Sequence, residues 1–343
     1  MFAAAWLSGS APAHAAAVLP PLERPAVALR DVQRASLLGL AQAGERVVAV
    51  GERGVVLLSD DGGQQWRQAT SVPVSVTLTA VQFVDAKTGW AVGHQGVVLH
   101  SADGGEHWTR QLEGRAVAEL MLKDAQAQGD QRAIAEAGRA VQEGADKPLL
   151  TLHFSNARQG IVAGAFNTLL QTQDGGQSWQ ALSSRLPNPK GAHLYALHSE
   201  GNELLLAGEQ GLLLHSSDGG QRFERIATPY AGSFFAVTRE AGGAWLLAGL
   251  RGNVLRSGDG GKRWAVLAEG APVSVTALLP GGTGPVLLAN QAGQLWAPLP
   301  DAARLRLVST TPAQQPASLL RLVDGCLLIA GWNGITRVPP NSR

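Results

Sequence analysis

The chain of 343 residues is 45% hydrophobic and 16% charged, and its formal net charge is +1. Because no run of Lys or Arg accompanies this balance, the composition excludes a basic surface of the kind that binds nucleic acids or anionic lipids. The single cysteine, Cys326, excludes an intramolecular disulfide, and the surrounding sequence GCLLIAG predicts a small buried side chain in a strand.

The N-terminal sequence MFAAAWLSGSAPAHAAAVLPP combines a short apolar stretch with the small residues AHA at 13–15. This pattern predicts a signal peptide over residues 1–17 and export to the periplasm. The signal is clipped or atypical because it lacks a positively charged start, and an alanine-rich disordered leader is the alternative. No segment reaches the roughly 18 apolar residues that span a bilayer, so we expect a chain that does not itself cross the membrane.

Five short boxes of the sequence follow one pattern, Ser/Thr-x-Asp-x-Gly-x-x-Trp/Phe. They read SDDGGQQW from Ser59, SADGGEHW from Ser101, TQDGGQSW from Thr172, SSDGGQRF from Ser216 and SGDGGKRW from Ser257. Their central acids are Asp61, Asp103, Asp174, Asp218 and Asp259. A recurrence at a nearly fixed period indicates a repeat architecture.

A second signature precedes each box and extends beyond the last one: an apolar run, a small residue and a short turn. The small residues are Gly51, Gly93, Gly164, Gly208, Gly249, Asn290 and Gly331, at intervals of 42, 71, 44, 41, 41 and 41 residues. Short apolar runs broken by turns are typical of antiparallel strands, and about 40–45 residues hold the four strands of a propeller blade. The sequence therefore predicts an all-β, seven-bladed β-propeller over residues 24–340.

The ends of the repeat predict how the ring closes. The last unit, SLLRLVDGCLLIAGWNGITRVPPNSR, supplies three strands, and the sequence RPAVALRD at residues 24–31 is left over before the first blade. We expect this segment to add the missing outer strand to the last blade, because closure leaves only short protected edges.

The long interval between the second and third markers predicts an insertion at residues 112–147. This stretch is rich in Ala, Glu, Gln, Leu and Arg and is broken once, at Gly129 and Asp130. Because Asp130 is a suitable N-cap, we predict a hairpin of helices at 116–128 and 131–143. The apolar stripes, which either bury each other or contact a partner, contain Val117, Leu120, Met121 and Ala125 on the first helix and Ile134, Ala137 and Val141 on the second.

Strand direction predicts which features share a face of the propeller. If the boxes join strands three and four on the bottom face, the turns between strands two and three lie on the top face with the insertion. The predicted top-face residues are Glu52, Arg53, His94, Gln95, Phe166, Asn167, Glu209, Gln210, Arg251, Gln291, Trp332 and Asn333, with Tyr230 in a top-face connection.

The box residues have structural roles that explain their identity. Hydroxyl and carboxylate groups bond to the turn backbone, glycines adopt positive φ, and the aromatic ring packs between sheets. Metal binding or acid catalysis would require the aspartates to converge, which copies on separate blades cannot do. The histidines that could approach the upper channel, His94, His153, His193 and His198, lack metal-site spacing. We predict neither a metal nor a cofactor.

The boxes resemble the Asp-box, or BNR, repeats of sialidase-like propellers. The order of the units, the strand sequence GWAVG around Trp90 and the sequence TPYAGSFF at 228–235 are similar to the bacterial and plastid propellers related to the photosystem II assembly and stability factor, in their non-photosynthetic bacterial branch. Sialidases carry their active site on the top face. Their arginine triad is incomplete here, because only Arg53 and Arg251 recur at comparable turn positions. Tyr230 is either a nucleophile beside Glu209 or a residue that caps a loop, and we expect the second role and predict no catalytic residues.

The resemblance implies a function in the assembly of membrane proteins. Its characterised branch assists a membrane protein complex from the lumenal side, and bacterial relatives look like accessory proteins of envelope systems, including resistance-nodulation-division transporters. We expect a periplasmic, non-catalytic scaffold that binds such a complex through its top face and insertion, with contacts at Val117, Leu120, Met121 and Ile134. The alternatives are a glycan-binding or sialidase-like hydrolase, in which Glu52, Glu209 and Trp332 would form the pocket, and a quinoprotein-like cofactor propeller.

Overall fold

Short apolar strands separated by tight turns make up nearly all of the structure. The structure is a computed structural model that describes residues 19–144, 146–267, 272–282, 284–300, 302–311, 313 and 315–340. The signal peptide predicted at residues 1–17 lies outside the described residues. Within them, strands β1–β27 form seven antiparallel sheets, in which sequence neighbours pair. The predicted seven-bladed propeller is confirmed.

The first four sheets each contain four strands. Their bounds are β1 Leu37–Ala43, β2 Arg46–Gly51, β3 Val56–Ser59 and β4 Arg67–Gln68; β5 Leu78–Phe83, β6 Gly89–Gly93, β7 Val98–Ser101 and β8 Thr109–Leu112; β9 Leu149–Phe154, β10 Gly160–Gly164, β11 Leu169–Thr172 and β12 Gln180–Ala181; and β13 Leu194–Glu200, β14 Glu203–Gly208, β15 Leu213–Ser216 and β16 Glu224–Arg225. The second strand of each blade is almost wholly buried, because neighbouring sheets cover both of its faces.

The last three sheets contain four, four and three strands. Their bounds are β17 Phe234–Arg239, β18 Trp245–Gly249, β19 Val254–Ser257 and β20 Ala265–Val266; β21 Val275–Leu279, β22 Leu287–Asn290, β23 Gln294–Pro298 and β24 Leu305–Thr310; and β25 Pro316–Arg321, β26 Leu327–Gly331 and β27 Gly334–Val338. The seventh blade therefore has the three strands that its sequence predicts.

The hydrophobic core consists of seven clusters, and each cluster lies between two adjacent blades. One of them joins the first and last blades, where Leu57 packs with Leu328 and Cys326. The cysteine is 4% exposed, as its sequence predicts. A buried leucine side chain contributes about 1.5–3 kcal/mol relative to an exposed one. Closure of the ring thus depends on apolar packing between its two ends.

The prediction that residues 24–31 form the missing outer strand of the last blade is wrong. This segment forms no strand and runs along the first blade, where Ala26 N–H donates to Val72 O and Leu29 N–H donates to Gln68 Oε1. The Gln68 side chain also donates to Val27 O, so the hydrogen-bonding groups that a strand needs are occupied by the first blade. In addition, Pro25 has no backbone N–H that could donate a hydrogen bond to a neighbouring strand. The N-terminal segment is a strap on the first blade.

The glycine at the end of the second strand is needed for close contact with the first strand. A Cβ atom on Gly93 would lie 2.2 Å from Thr77 O, which is inside any permitted contact. The same conflict, with backbone oxygens at 2.0–2.3 Å, occurs at Gly51, Gly164, Gly208 and Gly249. The sequence marker is thus a packing requirement that recurs in five blades.

The insertion is a helical hairpin, α1 Gly114–Gln128 and α2 Gln131–Glu143, between the second and third blades. The bounds of α2 agree with the prediction, and Asp130 accepts the N–H groups of Arg132 and Ala133 as its N-cap. Helix α1 begins two residues earlier than predicted because the Glu113 carboxylate caps it. Among the described residues, no helix has the length and apolar character to cross a membrane.

Candidate functional site

The bottom face is formed by the five boxes, which share one hydrogen-bond pattern. In the first box, Ser59 Oγ donates to Asp61 Oδ1 at 2.9 Å and accepts Gly63 N–H at 2.8 Å, while Asp61 also accepts Gln65 N–H. Asp103, Asp174, Asp218 and Asp259 repeat this arrangement. The box aromatics pack into separate inter-blade clusters. All five boxes therefore hold their own turns through the same hydrogen bond from hydroxyl to carboxylate.

Hydrogen bonds lower the pKa of the box carboxylates. The Ser178 hydroxyl and N–H hold the pKa of Asp174 at about 2, and Arg263 does the same for the pKa of Asp259. Each of these carboxylates therefore binds groups of its own turn. In the part of the chain that the structure describes, no three His, Cys, Asp or Glu side chains come together as a metal site would require.

The top-face turns of the first six blades begin with the same backbone hydrogen bond. Each begins with an N–H that donates to the carbonyl preceding its own blade, as His94 N does to Thr77 O at 2.8 Å. The residues with left-handed φ in these turns are Arg53, Gln95, Phe166, Asn167, Gln210 and Arg251. A side chain in this conformation is uncommon outside Gly, Asn and Asp and indicates that the turn is held by its surroundings.

The predicted top-face side chains divide by exposure. Phe166 is 53% exposed and Trp332 58% exposed, and both are large apolar groups facing solvent. The other exposed members are Arg53, His94, Gln210, Arg251, Gln291 and Asn333, and the half-buried members are Glu52, Gln95, Asn167, Glu209 and Tyr230. Leu250, in the turn that contains Arg251, is a further exposed apolar residue that the sequence analysis missed.

One group of top-face residues is brought together between the third and fourth blades. Phe166 N–H donates to His193 Nδ1 at 3.1 Å, and the two rings meet edge to face at 4.6 Å. The Glu209 carboxylate accepts His193 N–H at 3.0 Å and lies 3.9 Å from His193 Nε2. The His193 side chain therefore connects the third and fourth blades, and the Glu209 carboxylate holds the His193 backbone in place.

The aromatic contacts continue from this junction towards the channel. The Tyr195 ring lies 6.0 Å from the His193 ring and 5.3 Å from the Phe235 ring. Burial, followed by the nearby Glu209 charge, raises the pKa of Tyr195. Tyr195 and Phe235 each occupy a bulge near the start of the innermost strand of their blades. Tyr195 and Phe235 are not among the predicted site residues, although they occupy equivalent positions in the first strands of their repeats.

Tyr230 holds a loop between the fourth and fifth blades. Its hydroxyl donates to Leu250 O at 2.9 Å, and its backbone carbonyl accepts the Thr228 hydroxyl. This hydroxyl is thus engaged with main chain, which is how a tyrosine that caps a loop behaves.

The insertion is firmly attached to the propeller through α1. Val117 is 3% exposed and belongs to the core between the second and third blades, with Leu120 and Met121 packed against that core. The expectation that Val117 contacts a partner is therefore wrong, because the propeller itself buries it. Asp124 accepts the N–H and hydroxyl of Ser184 at 3.0 and 2.9 Å, which fixes the far end of the helix.

Helix α2 packs on α1 and is separated from the propeller by a cleft. Ala137 is buried on this helix, and Ile134 is half-buried. The cleft has a volume of about 630 Å³ and lies between the helices, the Phe166–Thr168 turn and the loop at 183–191. Lys147, at the end of the insertion, places its Nζ 4.9 Å from the centre of the exposed Phe166 ring. The cleft therefore opens beside the aromatic junction of the top face.

Comparisons with known proteins agree with this architecture. The family model described as "Photosynthesis system II assembly factor YCF48" matches residues 67–139 and 130–297, which together cover more than half of the chain. A relative from Synechococcus sp. (strain CC9902), "Photosystem II assembly lipoprotein Ycf48", is 36% identical over 77 residues, or 22% of this chain and 23% of that relative. The chain therefore aligns with less than a quarter of that relative's length.

Solved structures resemble the whole propeller. The structure "YCF48 bound to D1 peptide" has a TM-score of 0.66 at 17% identity and covers 90% of this chain and 94% of its own. YCF48 from Cyanidioschyzon merolae has a TM-score of 0.66 at 14% identity, with coverages of 90% and 97%. The WD40 propeller of Doa1 scores 0.63 at 13% identity, with coverages of 94% and 97%, so this likeness extends to propellers in general. These structures show the propeller fold, and the family model, which matches more than half of the chain, shows that the chain belongs to the YCF48 family of photosystem II assembly factors.

Proposed function

We propose that this protein is a non-catalytic assembly or accessory factor that binds the extracytoplasmic part of a membrane protein complex through its top face. The observation that carries the proposal is the exposure of Phe166, Leu250 and Trp332 in top-face turns, of which the Phe166 turn lies beside the anchored helical insertion. Exposed aromatic side chains on a rigid surface are the usual anchors of protein interfaces. The family name, and the D1 peptide bound to one YCF48 of known structure, support a membrane protein as partner.

The finer parts of the proposal concern location and partner. We infer a periplasmic protein, with support from the sequence pattern at residues 1–17 and from the lipoprotein in the name of the cyanobacterial relative. The specific partner that we propose is a transporter of the resistance-nodulation-division type, as the resemblance to bacterial relatives outside photosynthesis implies. A catalytic role is disfavoured because Glu209 and Tyr230 are both engaged in holding loops.

Affinity capture from solubilised envelopes tests the proposal. The first variant combines Phe166→Ala, Leu250→Ser and Trp332→Ala. The matched control combines Val266→Ser, Leu307→Ser and Val323→Ser, which change exposed apolar residues away from the top-face turns. We expect the unmodified protein and the control to retain a membrane protein complex and the first variant to lose it, with similar melting temperatures for all three.

Two results would contradict the proposal. If the unmodified protein retains no membrane protein, the assembly role fails. If it hydrolyses fluorogenic glycosides and Glu209→Gln abolishes that activity, the protein is a glycosidase and the non-catalytic assignment is wrong.

A further inference from the structure

The cleft beside the insertion has the dimensions and lining of a binding site. Its volume of about 630 Å³ lies within the roughly 300–1,000 Å³ of typical ligand sites, which are mostly apolar with a few polar groups. Small side chains make up much of its wall, namely Ala118 and Ala125 of α1 and Ala133, Ala137 and Ala140 of α2. Phe166 adds an exposed aromatic ring. Such a lining suits a ligand that has apolar side chains and whose backbone lies close to the cleft wall.

Four carboxylates and four cations line the cleft, and most of these groups already have partners within the protein. Arg132 pairs with Glu136 at 2.8 Å, and Lys147 pairs with Asp146 at 2.6 Å and with Glu143 at 3.7 Å. The other two carboxylates of the cleft are also engaged: Asp124 accepts the Ser184 hydroxyl and N–H, and Asp130 accepts the N–H groups of Arg132 and Ala133. These anionic groups are therefore already engaged inside the protein.

Two cations of the cleft remain without an anion among the described residues. Arg139 comes from α2 and Lys190 from the loop at 183–191, and both line the cleft. Within the described ranges, neither side chain forms an ion pair or a hydrogen bond. An added carboxylate between an apolar wall and these two cations would gain charge-assisted hydrogen bonds.

We propose that this cleft binds an apolar peptide segment of the protein's partner that carries an acidic side chain, held by Arg139 and Lys190. The inference rests on the proposed function, in which the top face binds a protein. It assigns that binding to the cleft and specifies the chemistry of the bound segment.

Other anionic ligands fit the cleft less well. A nucleotide phosphate is usually held by a series of backbone N–H groups, but Pro187 and Pro189 deprive the adjacent loop of two of them. A membrane surface is recognised by clusters of about 4–8 cations, whereas in the described part of the cleft wall only Arg139 and Lys190 are unpaired. A peptide needs only these two cations to bind its carboxylate, and its apolar side chains pack against the alanines of the cleft wall.

Fluorescence polarisation with defined peptides tests the inference on the full chain. The probe is a short fluorescein-labelled peptide of alanine and leucine with one central glutamate, and its partner probe has glutamine instead. We expect the glutamate peptide to bind about tenfold more tightly than the glutamine peptide, since a charge-assisted contact is worth that factor. This advantage should shrink as salt is added.

Two double variants locate the binding. Arg139→Gln with Lys190→Gln should abolish the advantage of the glutamate peptide. Lys123→Gln with Lys262→Gln removes the same charge from exposed positions outside the cleft and should preserve it. Equal binding of both peptides, or equal behaviour of the two double variants, would overturn the inference.

The same double variants separate this inference from the proposed function. If the Arg139→Gln, Lys190→Gln protein still captures the membrane complex as the unmodified protein does, the proposed function stands and the cleft is not its site. If it loses the complex while the Lys123→Gln, Lys262→Gln protein retains it, the inference is supported. If the unmodified protein captures no complex, the proposed function is refuted. The peptide-binding experiment then tests separately whether the cleft is a binding site.

Discussion

The bottom and top faces are built from the same repeat, but only the bottom face repeats its side-chain chemistry. Five boxes make the same bonds from hydroxyl to carboxylate and from backbone N–H to hydroxyl. Six top-face turns begin with the same backbone hydrogen bond, but the side chain that follows the marker residue differs between blades and includes Glu209, Leu250 and Trp332. Box residues stabilise the ring, so side chains on the other face can vary without loss of the fold. We therefore expect stability to depend on the core and bottom face, and binding on the top face.

The largest contrast in stability lies between a core tryptophan and a top-face aromatic. Trp90 is fully buried and stacks on Phe154 with ring centres 3.8 Å apart. Trp90→Ala should lower the free energy of unfolding by about 3–5 kcal/mol, because it leaves a large cavity between two blades. Phe166→Ala removes a half-exposed ring and should cost no more than about 1 kcal/mol. Urea denaturation of both variants measures the difference, and similar losses would show that the top face is also structural.

A smaller contrast separates a box serine from a top-face serine. Ser101 is 1% exposed, and its hydroxyl accepts Gly105 N–H at 2.9 Å. Ser101→Ala leaves that N–H buried without an acceptor, at a cost of about 1–3 kcal/mol.

Ser184→Ala is the matched control on the top face. Its exposed hydroxyl donates to Asp124, but Asp124 would keep the Ser184 N–H. The expected loss is at most about 0.5 kcal/mol. Thermal melts of both serine variants check this, and an equal loss would remove the distinction between the two faces.

The sequence predicts the repeated parts of this molecule far better than the parts that occur once. Marker glycines such as Gly93 and box residues such as Ser101 recur, so their structural requirement is visible by comparison within the chain. Helix α2 is predicted to the residue because Asp130 marks its start. Glu113, a less usual cap, conceals the first turn of α1.

The closure and the candidate site depend on contacts between distant residues. The strap at residues 24–31 bonds to Gln68, whose side chain gives no sequence signal for this role. The contact of Phe166 with His193 requires the relative position of two blades, which no local pattern contains. Val117 lies on an apolar stripe that suits either a partner or a core, and only packing against the blades decides between them.

Acid should weaken the bottom face as the pH falls below about 4. Hydrogen bonds hold the pKa of Asp174 and Asp259 at about 2, below the ordinary value of 3.8. A lowered folded-state pKa stabilises the protein above the unfolded value, and this contribution is lost as the pH falls from about 4 to about 2. Urea denaturation across this range should show stability falling with pH, with a shallower slope in the double variant Asp174→Asn, Asp259→Asn. An unchanged slope would mean that the box charges contribute nothing to folding.

The channel between the two faces should show the smallest effect, at milder acidity. His153 and His198 lie on the innermost strands β9 and β13, and burial lowers the pKa of both; proximity to His198 adds to the effect on the pKa of His153. His198 Nε2 is buried without a hydrogen-bond partner among the described residues. Because the folded state disfavours their protonation, stability is complete above the unfolded value of 6.5 and is lost as the pH falls through the lowered pKa. NMR titration should give midpoints below 6.5 for both rings, and His198→Gln should flatten the stability profile as the pH falls below 6.5. The Glu200 carboxylate, 4.0 Å from His198 Nε2, opposes the effect of burial, so a midpoint above 6.5 for His198 would show that this charge outweighs burial and would refute the prediction.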